Sequence, residues 1–202
     1  MCLKKFMVEL LYGKYNNEIM KDKIEKAQKR LELVNQWITN CDTKSSFILT
    51  FYGVILTIIF TSDMGKEMMN VFSFEVADKW NWESVKNFLL FILVIAFLGS
   101  IGKSFYHIYN TLRARINSDV YEQTGLITSS NSFFGTIAQK NFQDFEQATN
   151  SENEEEYLKD LNSQIFINSK IAAKKFEHYN SSIFWTFVSL GIFLVYIILN
   201  IL

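Results

Sequence analysis

Residues 180–202 read NSSIFWTFVSLGIFLVYIILNIL and contain no charged side chain. Two further uncharged stretches precede them, SSFILTFYGVILTIIFTS at residues 45–62 and NFLLFILVIAFLGSIG at residues 87–102. As helices with a rise of about 1.5 Å per residue, they would measure roughly 34, 27 and 24 Å, against a hydrocarbon core about 30 Å thick. Lys86 and Lys103 flank the shortest stretch and can lengthen it, because their aliphatic stems let the charges reach the interface.

These stretches predict an all-α membrane protein. Backbone polar groups in lipid must pair within the spanning structure, and none of the stretches alternates in the manner of a barrel strand. The chain has no proline to break a helix. We therefore expect three transmembrane helices that continue into a cytoplasmic helical bundle.

The basic residues predict the orientation. Nine Lys or Arg lie in the first 44 residues and eight lie in residues 103–179, whereas residues 63–86 carry three basic residues and five acidic ones. Since basic segments stay in the cytoplasm, the N-terminus is expected inside and Leu202 outside. The predicted order begins with an amphipathic and cytoplasmic helical segment (residues 1–44), a first span (45–62) and a short external loop (63–86). A second span (87–102), a cytoplasmic helical domain (103–179) and a third span (180–202) follow.

The N-terminal half carries a heptad seam. From Ile24 its apolar positions recur in alternating steps of three and four, and no breaker interrupts the phase as it enters the first span. This pattern predicts one helix from about Asn16 to Thr61. The seam positions are Ile24, Ala27, Leu31, Val34, Ile38, Cys41, Ser45, Ile48, Tyr52 and Ile55. Residues 3–12 form a short amphipathic pattern of their own, which suits a helix on the inner leaflet or one packed on the cytoplasmic domain.

Residues that end or begin helices divide the rest of the chain. Gly125 is expected to end the helix that follows the second span, and a short helix is expected at residues 132–147. Ser151 and Glu154 have the spacing of a capping box, so the last helix should start near Glu152. In the external loop, aromatic side chains are expected at the level of the lipid headgroups: Phe72, Phe74, Trp80 and Trp82.

Several classes of function are not expected. A net charge of −1 gives no reason to expect nucleic acid as a partner. Cys2 and Cys41 form no spacing motif, and His107 and His178 lie far apart in sequence, so no metal site is expected. No nucleophile with a base and no Gly-rich phosphate loop occurs, so no catalytic residue is assigned and an enzyme is not expected. The spans lack the central charged residues that transporters usually need.

The spans do contain rows of small and hydroxylated residues, which allow helices to approach closely and to hydrogen-bond. Packing within one protomer explains such rows, and unused faces leave assembly into a homo-oligomer open. The rows are Thr50, Gly53, Thr57 and Thr61; Ala96, Ser100 and Ser104; and Ser182, Thr186 and Ser189.

Two clusters of polar residues are candidate sites. The first follows the second span and combines cations with hydrogen-bonding groups that suit a phosphate-bearing small molecule: Lys103, Tyr106, Asn110, Arg113 and Arg115. Charge that sets the topology, or contacts with Glu122 or with the acidic residues 152–156, is the preferred explanation for the two arginines, and the ligand site is the alternative. The second cluster is a junction at the cytoplasmic ends of the spans, in which Asp42 would pair with Lys103 or Lys175: Asp42, Lys44, Lys103, Lys174 and Lys175. The alternative is that Lys44 only marks the membrane boundary and that Asp42 lies beside it in solvent.

Short motifs give the chain a resemblance to a family. Asn35-Gln36-Trp37-Ile38 leads to Asp42-x-Lys44-Ser45 at the mouth of the first span, and Phe133-Phe134-Gly135 follows in the cytoplasmic part. Asn168-x-Lys170 and Lys174-Lys175-Phe176 precede the last span. Over most of residues 25–200 this layout resembles the transmembrane effectors of Pycsar-type anti-phage systems, in which alanine often stands where this chain has Ser45.

The resemblance implies an effector in the bacterial inner membrane that senses a cyclic mononucleotide, cUMP or cCMP, and then impairs the membrane. It also implies a nucleotide cyclase as functional partner, alongside the lipid bilayer. Other nucleotide-signalling defence systems have short membrane effectors of similar layout, including the two-span SLATT class. A constitutive helical scaffold or channel subunit without a nucleotide trigger is the remaining alternative.

Overall fold

The structure of this protein is a computed structural model that describes residues 2–73, 82–113, 120–121 and 123–201, with the backbone alone described at residues 2–13. The helices are α1 (Cys2–Thr61), α2 (Asp63–Asn70), α3 (Trp82–Arg113), α4 (Phe134–Ile137), α5 (Phe142–Ser151) and α6 (Glu154–Ile201), with a 3-10 turn at Val71–Ser73. No β-strand occurs in these ranges. The expectations for Phe74, Trp80, Arg115, Glu122 and the side chains of residues 3–12 fall outside the described part.

The all-α membrane fold is confirmed. Three helices are long and apolar enough to cross a membrane: Lys14–Thr61, Trp82–Arg113 and Glu154–Ile201. The first ends at Thr61 as the heptad seam predicted, and the backbone of α1 is helical from Cys2 onward, earlier than the expected start near Asn16. Every seam position from Ile24 to Ile55 is buried or half-buried, so the seam is the inward face of α1.

The chain divides into two compact units. Unit 1 comprises Met1–Thr39 and Arg115–Ala173, and unit 2 comprises Asn40–Ala114 and Lys174–Leu202. Helices α1 and α6 each contribute residues to both units.

Unit 2 has an apolar core supplemented by hydroxyl contacts. Ser104 Oγ on α3 donates to the Ser182 carbonyl oxygen and lies 3.1 Å from Thr186 Oγ1, and Tyr52 OH lies 3.3 Å from Ser189 Oγ. The hydroxyl rows of α3 and α6 therefore join helices within one protomer. The buried core residues are Tyr52, Ile59, Met68, Leu90, Val94, Phe97, Ile101, Ile108 and Tyr196.

The turn between α1 and α2 depends on a glycine. A Cβ at Gly65 would lie 2.5 Å from the Ile59 carbonyl oxygen, so no larger residue fits without a backbone shift. The Gly65 N–H donates to the Ser62 carbonyl at 3.1 Å, which closes this turn directly after α1.

The expected helix at residues 132–147 is wrong, because the structure has two helices there. Asn141 lies between α4 and α5, and its side chain accepts a hydrogen bond from the Asp144 N–H at 2.8 Å. An asparagine cap of this kind starts a new helix.

The capping box predicted at Ser151 and Glu154 is also wrong. Ser151 is the last residue of α5. Instead, Asn153 Oδ1 accepts from the Glu156 N–H at 2.9 Å, and Glu156 Oε2 accepts from the Asn153 N–H at 3.2 Å. The reciprocal pair that starts α6 is thus Asn153 and Glu156, because asparagine caps a helix at least as well as serine.

Candidate functional site

A buried ion pair joins α1 to α6 in unit 2. Lys175 Nζ donates to Asp42 Oδ1 at 2.5 Å, with the lysine side chain 6% exposed and the aspartate side chain 38% exposed. A buried ammonium group is tolerated only when it is paired, so Asp42 allows Lys175 to pack in the interior. Of the two bases considered for Asp42, the structure brings Lys175 into contact, whereas Lys103 is exposed.

The residues around this pair are tightly packed. Cys41 and Ser45 are fully buried, and Ser45 Oγ donates to the Cys41 carbonyl at 2.9 Å. Burial raises the pKa of the Cys41 thiol, as does the neighbouring Asp42 charge, so the thiol stays protonated. Lys44 Nζ lies 5.9 Å from the centre of the Tyr179 ring, and Lys174 is half-buried.

In unit 1 a second polar contact joins the same two helices. Asn168 Nδ2 donates to Asn35 Oδ1 at 2.8 Å. Asn35 and Asn168 are 133 positions apart, and so are Asp42 and Lys175. Both partners of the Asp42–Lys175 contact thus stand seven residues after the corresponding partners of the Asn35–Asn168 contact. The two contacts join the motif segments 35–38 and 42–45 of α1 to the motif segments 168–170 and 174–176 of α6.

The candidate phosphate-binding residues form an exposed face of α3. Lys103, Tyr106 and Arg113 are exposed, and Asn110 Nδ2 donates to the Tyr106 carbonyl at 2.8 Å. The Arg113 guanidinium lies 5.6 Å from the centre of the Tyr109 ring. Steps of three and four residues place this set on one side of the helix. Arg115, the fifth member, lies outside the described residues.

A histidine pair was missed at the sequence level. His107 on α3 and His178 on α6 are 71 positions apart, and their Nδ1 atoms lie 3.3 Å apart. Burial lowers the pKa of His107, and the neighbouring His178 and Lys103 lower it further. Within the described ranges no group of three or more His, Cys, Asp or Glu side chains could hold a metal ion. Only the packing of α3 against α6 brings the two rings together.

A buried carboxylate in unit 1 was also missed. Asp160 on α6 is 1% exposed, and its Oδ2 accepts from Ser130 Oγ at 2.8 Å. Ser130 Oγ in turn accepts from the Ser132 N–H at 2.9 Å, and the Ile127 N–H donates to Ser163 Oγ at 3.0 Å. These bonds attach the segment before α4 to α6. Ser130 and Ser132 lie in a polar turn that carries no pattern of its own, so the sequence did not reveal these contacts.

The fold and these contacts define an all-α membrane protein whose first and last spanning helices are joined at conspicuous sequence motifs. Comparison with known proteins places the chain within that class. The Pycsar effector protein domain matches residues 26–202, and the chain belongs to this family. The predicted membership is therefore confirmed, and with it a role as an anti-phage defence effector. The family is not a catalytic one.

The chain is also similar to a curated relative, the Pycsar effector protein GmPycTM from Gulbenkiania mobilis. The two are 30% identical over 184 residues, which cover 87% of this chain and 90% of the relative. No solved structure matches the chain.

Proposed function

We propose that this protein is a membrane effector that binds a cyclic pyrimidine mononucleotide, cUMP or cCMP, in the cytoplasm and then impairs the inner membrane. A nucleotide cyclase of the same defence system would supply the ligand. Membership in the Pycsar effector family, over most of the chain, is the observation that carries this proposal. The fold supports it, since an all-α protein with three potential spans can act on a membrane directly.

The Asp42–Lys175 pair supports a specific route from ligand to membrane. It lies where α1 and α6 approach their uncharged stretches, three residues before residue 45 and five before residue 180. Breaking a buried pair leaves an uncompensated charge, so the pair favours one packing of α1 against α6. A ligand that binds a different packing more tightly would shift the population toward it. In this proposal Lys44, Lys103 and Lys174 complete the junction.

The surface of α1 supports assembly between protomers as the damaging step. Thr50, Gly53, Thr57 and Thr61 are exposed, whereas the serine and threonine rows of α3 and α6 are largely buried within the protomer. A Cβ at Gly53 would meet no atom within 4 Å. Small residues on a lipid-facing helix let a second helix approach closely, so this row is the proposed contact between copies.

Dye entry into cells tests the proposed function. Cells that express the protein together with a cyclase producing cUMP or cCMP should admit a membrane-impermeant dye, and cells with an inactive cyclase should exclude it. Permeabilisation without any nucleotide would instead support a constitutive channel or scaffold. Exclusion of the dye in both strains, at matched expression, would contradict membrane impairment.

A further inference from the structure

Unit 1 contains a groove that none of the predicted sites includes. It lies between residues 123–126 and the part of α6 that spans residues 155–166. Its volume is about 390 Å³, which falls in the range of about 300–1,000 Å³ that is typical of small-molecule sites. Leu126, Leu158 and Phe166, all half-buried, give it an apolar interior.

Hydrogen bonds inside unit 1 fix the two walls of this groove. The Ile127 N–H donates to Ser163 Oγ, and Ser163 Oγ donates one turn back to the Lys159 carbonyl at 2.8 Å. Gly125 has a φ of +89°, a backbone conformation that glycine adopts without strain, and it turns the chain at the rim. The wall opposite α6 is therefore held in place before any ligand binds.

The rim of the groove carries hydrogen-bonding groups that are not used by the fold. Gln123, Lys159 and Asn162 are exposed, and their side chains form no hydrogen bond or ion pair with any other residue that the structure describes. Glu155 stands one helical turn before Lys159, also at the rim. One cation, one carboxylate and two amides thus surround an interior that contains an aromatic ring.

These groups match the parts of a singly charged nucleotide. An aromatic ring such as Phe166 stacks on any base, and amides pair with the polar edge of a base. Lys159 offers one positive charge, which matches the single negative charge of a cyclic phosphodiester. Lys170 Nζ lies over one face of the Phe166 ring, 5.4 Å from its centre. Glu155 can accept a hydrogen bond from a sugar hydroxyl.

We infer that this groove, rather than the exposed face of α3, is the binding site for the cyclic mononucleotide. The inference rests on the proposed function for the identity of the ligand and on the groove for its location. In this arrangement Phe166 stacks on the pyrimidine, Gln123 and Asn162 bond its polar edge, and Lys159 contacts the phosphate. Because α6 forms one wall, the ligand would bind the same helix that carries Asn168 and Lys175.

Calorimetry with the full-length protein in nanodiscs tests the location of the site, with cUMP and cCMP as titrants. Lys159→Gln and Phe166→Ala should each weaken binding by about tenfold or more, because each removes a direct contact with the ligand. Phe166→Tyr keeps the ring and should bind like the parent, which guards against a folding defect in the alanine variant. Lys23→Gln, an exposed lysine of α1 in the same unit, is the matched control.

The outcomes separate the location of the site from the proposed function. If Lys159→Gln and Phe166→Ala bind like the parent while Arg113→Gln on α3 loses binding, the groove is overturned and nucleotide sensing stands. If the parent itself binds neither nucleotide, both the ligand and the groove are overturned. Loss of binding in both groove variants, with Arg113→Gln and Lys23→Gln unchanged, supports the groove.

Discussion

At the scale of residues, the two partners of the Asp42–Lys175 ion pair differ in their exposure to solvent. The lysine is almost fully buried and the aspartate is partly exposed, so water can reach the carboxylate but hardly the ammonium group. Removing the aspartate charge therefore affects the buried partner most. The cost should stay below the ~3–5 kcal/mol of fully buried pairs, because the carboxylate side is screened by solvent.

Asp42→Asn is predicted to abolish permeabilisation that depends on nucleotide while leaving membrane insertion intact. Asparagine keeps an oxygen that can accept from Lys175 Nζ, so the helices can still assemble, but the charge that selects one packing is lost. Dye entry and membrane fractionation measure the two properties. Asp63→Asn is the matched control, because Asp63 pairs with Lys66 in an exposed bridge of α2. An Asp42→Asn protein that responds to nucleotide like the parent would show that the junction is ordinary boundary charge.

The histidine pair predicts a dependence of stability on pH. The folded protein holds the pKa of His107 below its ordinary value of 6.5, chiefly through burial and also through His178 and Lys103. The unfolded chain therefore binds a proton at a higher pH than the folded protein does. The stability that neutral His107 provides is complete above pH 6.5 and is lost as the pH falls toward the lowered pKa of the folded state. Thermal unfolding in detergent between about pH 8 and 5 should show a smaller acid loss for His107→Asn than for the parent. An equal loss of thermal stability in the parent and in His107→Asn would contradict a role of His107 in the pH dependence.

The sequence predicted the ion pair but neither the histidine pair nor the groove. Asp42 and Lys175 each stand beside an uncharged stretch, so a pattern of charge pointed to the pair. His107 and His178 sit within helical segments that carry no comparable signal, and the two rings meet only through tertiary packing. The groove was missed for the same reason, since Gln123 and Phe166 belong to segments that are distant in sequence and approach each other only in the folded unit.

At the scale of elements, helix α1 was the most predictable part of the fold. Its heptad seam repeats over many turns, and each repeat independently indicates the same inward face. Helices α4 and α5 are short, so a single capping side chain at Asn141 decides their boundary. Periodicity averaged over residues 132–147 did not resolve that break. Likewise, the predicted cap at Ser151 was wrong because Asn153 and Glu156, which have the same three-residue spacing, form the actual pair.

Gly53→Leu is predicted to reduce both assembly and permeabilisation. Open space surrounds this position within the protomer and leucine favours a helix, so the substitution should not disturb the fold. It would block close approach of a second copy at the small-residue face of α1. Cross-linking in membranes and dye entry measure the two effects. Gly191→Leu, equally open and located on α6, is the matched control. Normal assembly of Gly53→Leu would indicate that this face only contacts lipid.

At the scale of the whole molecule, two helices contribute to both compact units. Helices α1 and α6 each supply residues to unit 1, which holds the groove, and to unit 2, which holds the uncharged stretches. In the proposed mechanism, a change in how these two helices pack in unit 1 is passed along the same helices to unit 2. A nucleotide can drive such a change only through its different affinity for the two packings.

The charge distribution predicts an inside N-terminus and an outside C-terminus. A phosphatase fused after Leu202 should be active, whereas a fluorescent protein that folds only in the cytoplasm should be dark at that end and bright at the N-terminus. The prediction follows from the excess of basic residues in residues 1–44 and 103–179. A fluorescent C-terminal fusion would contradict it. Together with a bright N-terminal fusion it would require an even number of spans, and together with a dark one it would require the inverted orientation.

Release of a trapped dye from liposomes tests the central claim most directly, because it contains only the protein, lipid and nucleotide. The purified protein is reconstituted, and cUMP, cCMP or linear 5′-UMP is supplied on both sides of the bilayer. The orientation in which the protein inserts therefore does not affect the result. We predict release with cUMP or cCMP, no release with 5′-UMP, and no response to either cyclic nucleotide in liposomes that contain Asp42→Asn. Liposomes that stay sealed with both cyclic nucleotides, or that leak equally without any nucleotide, would contradict the claim.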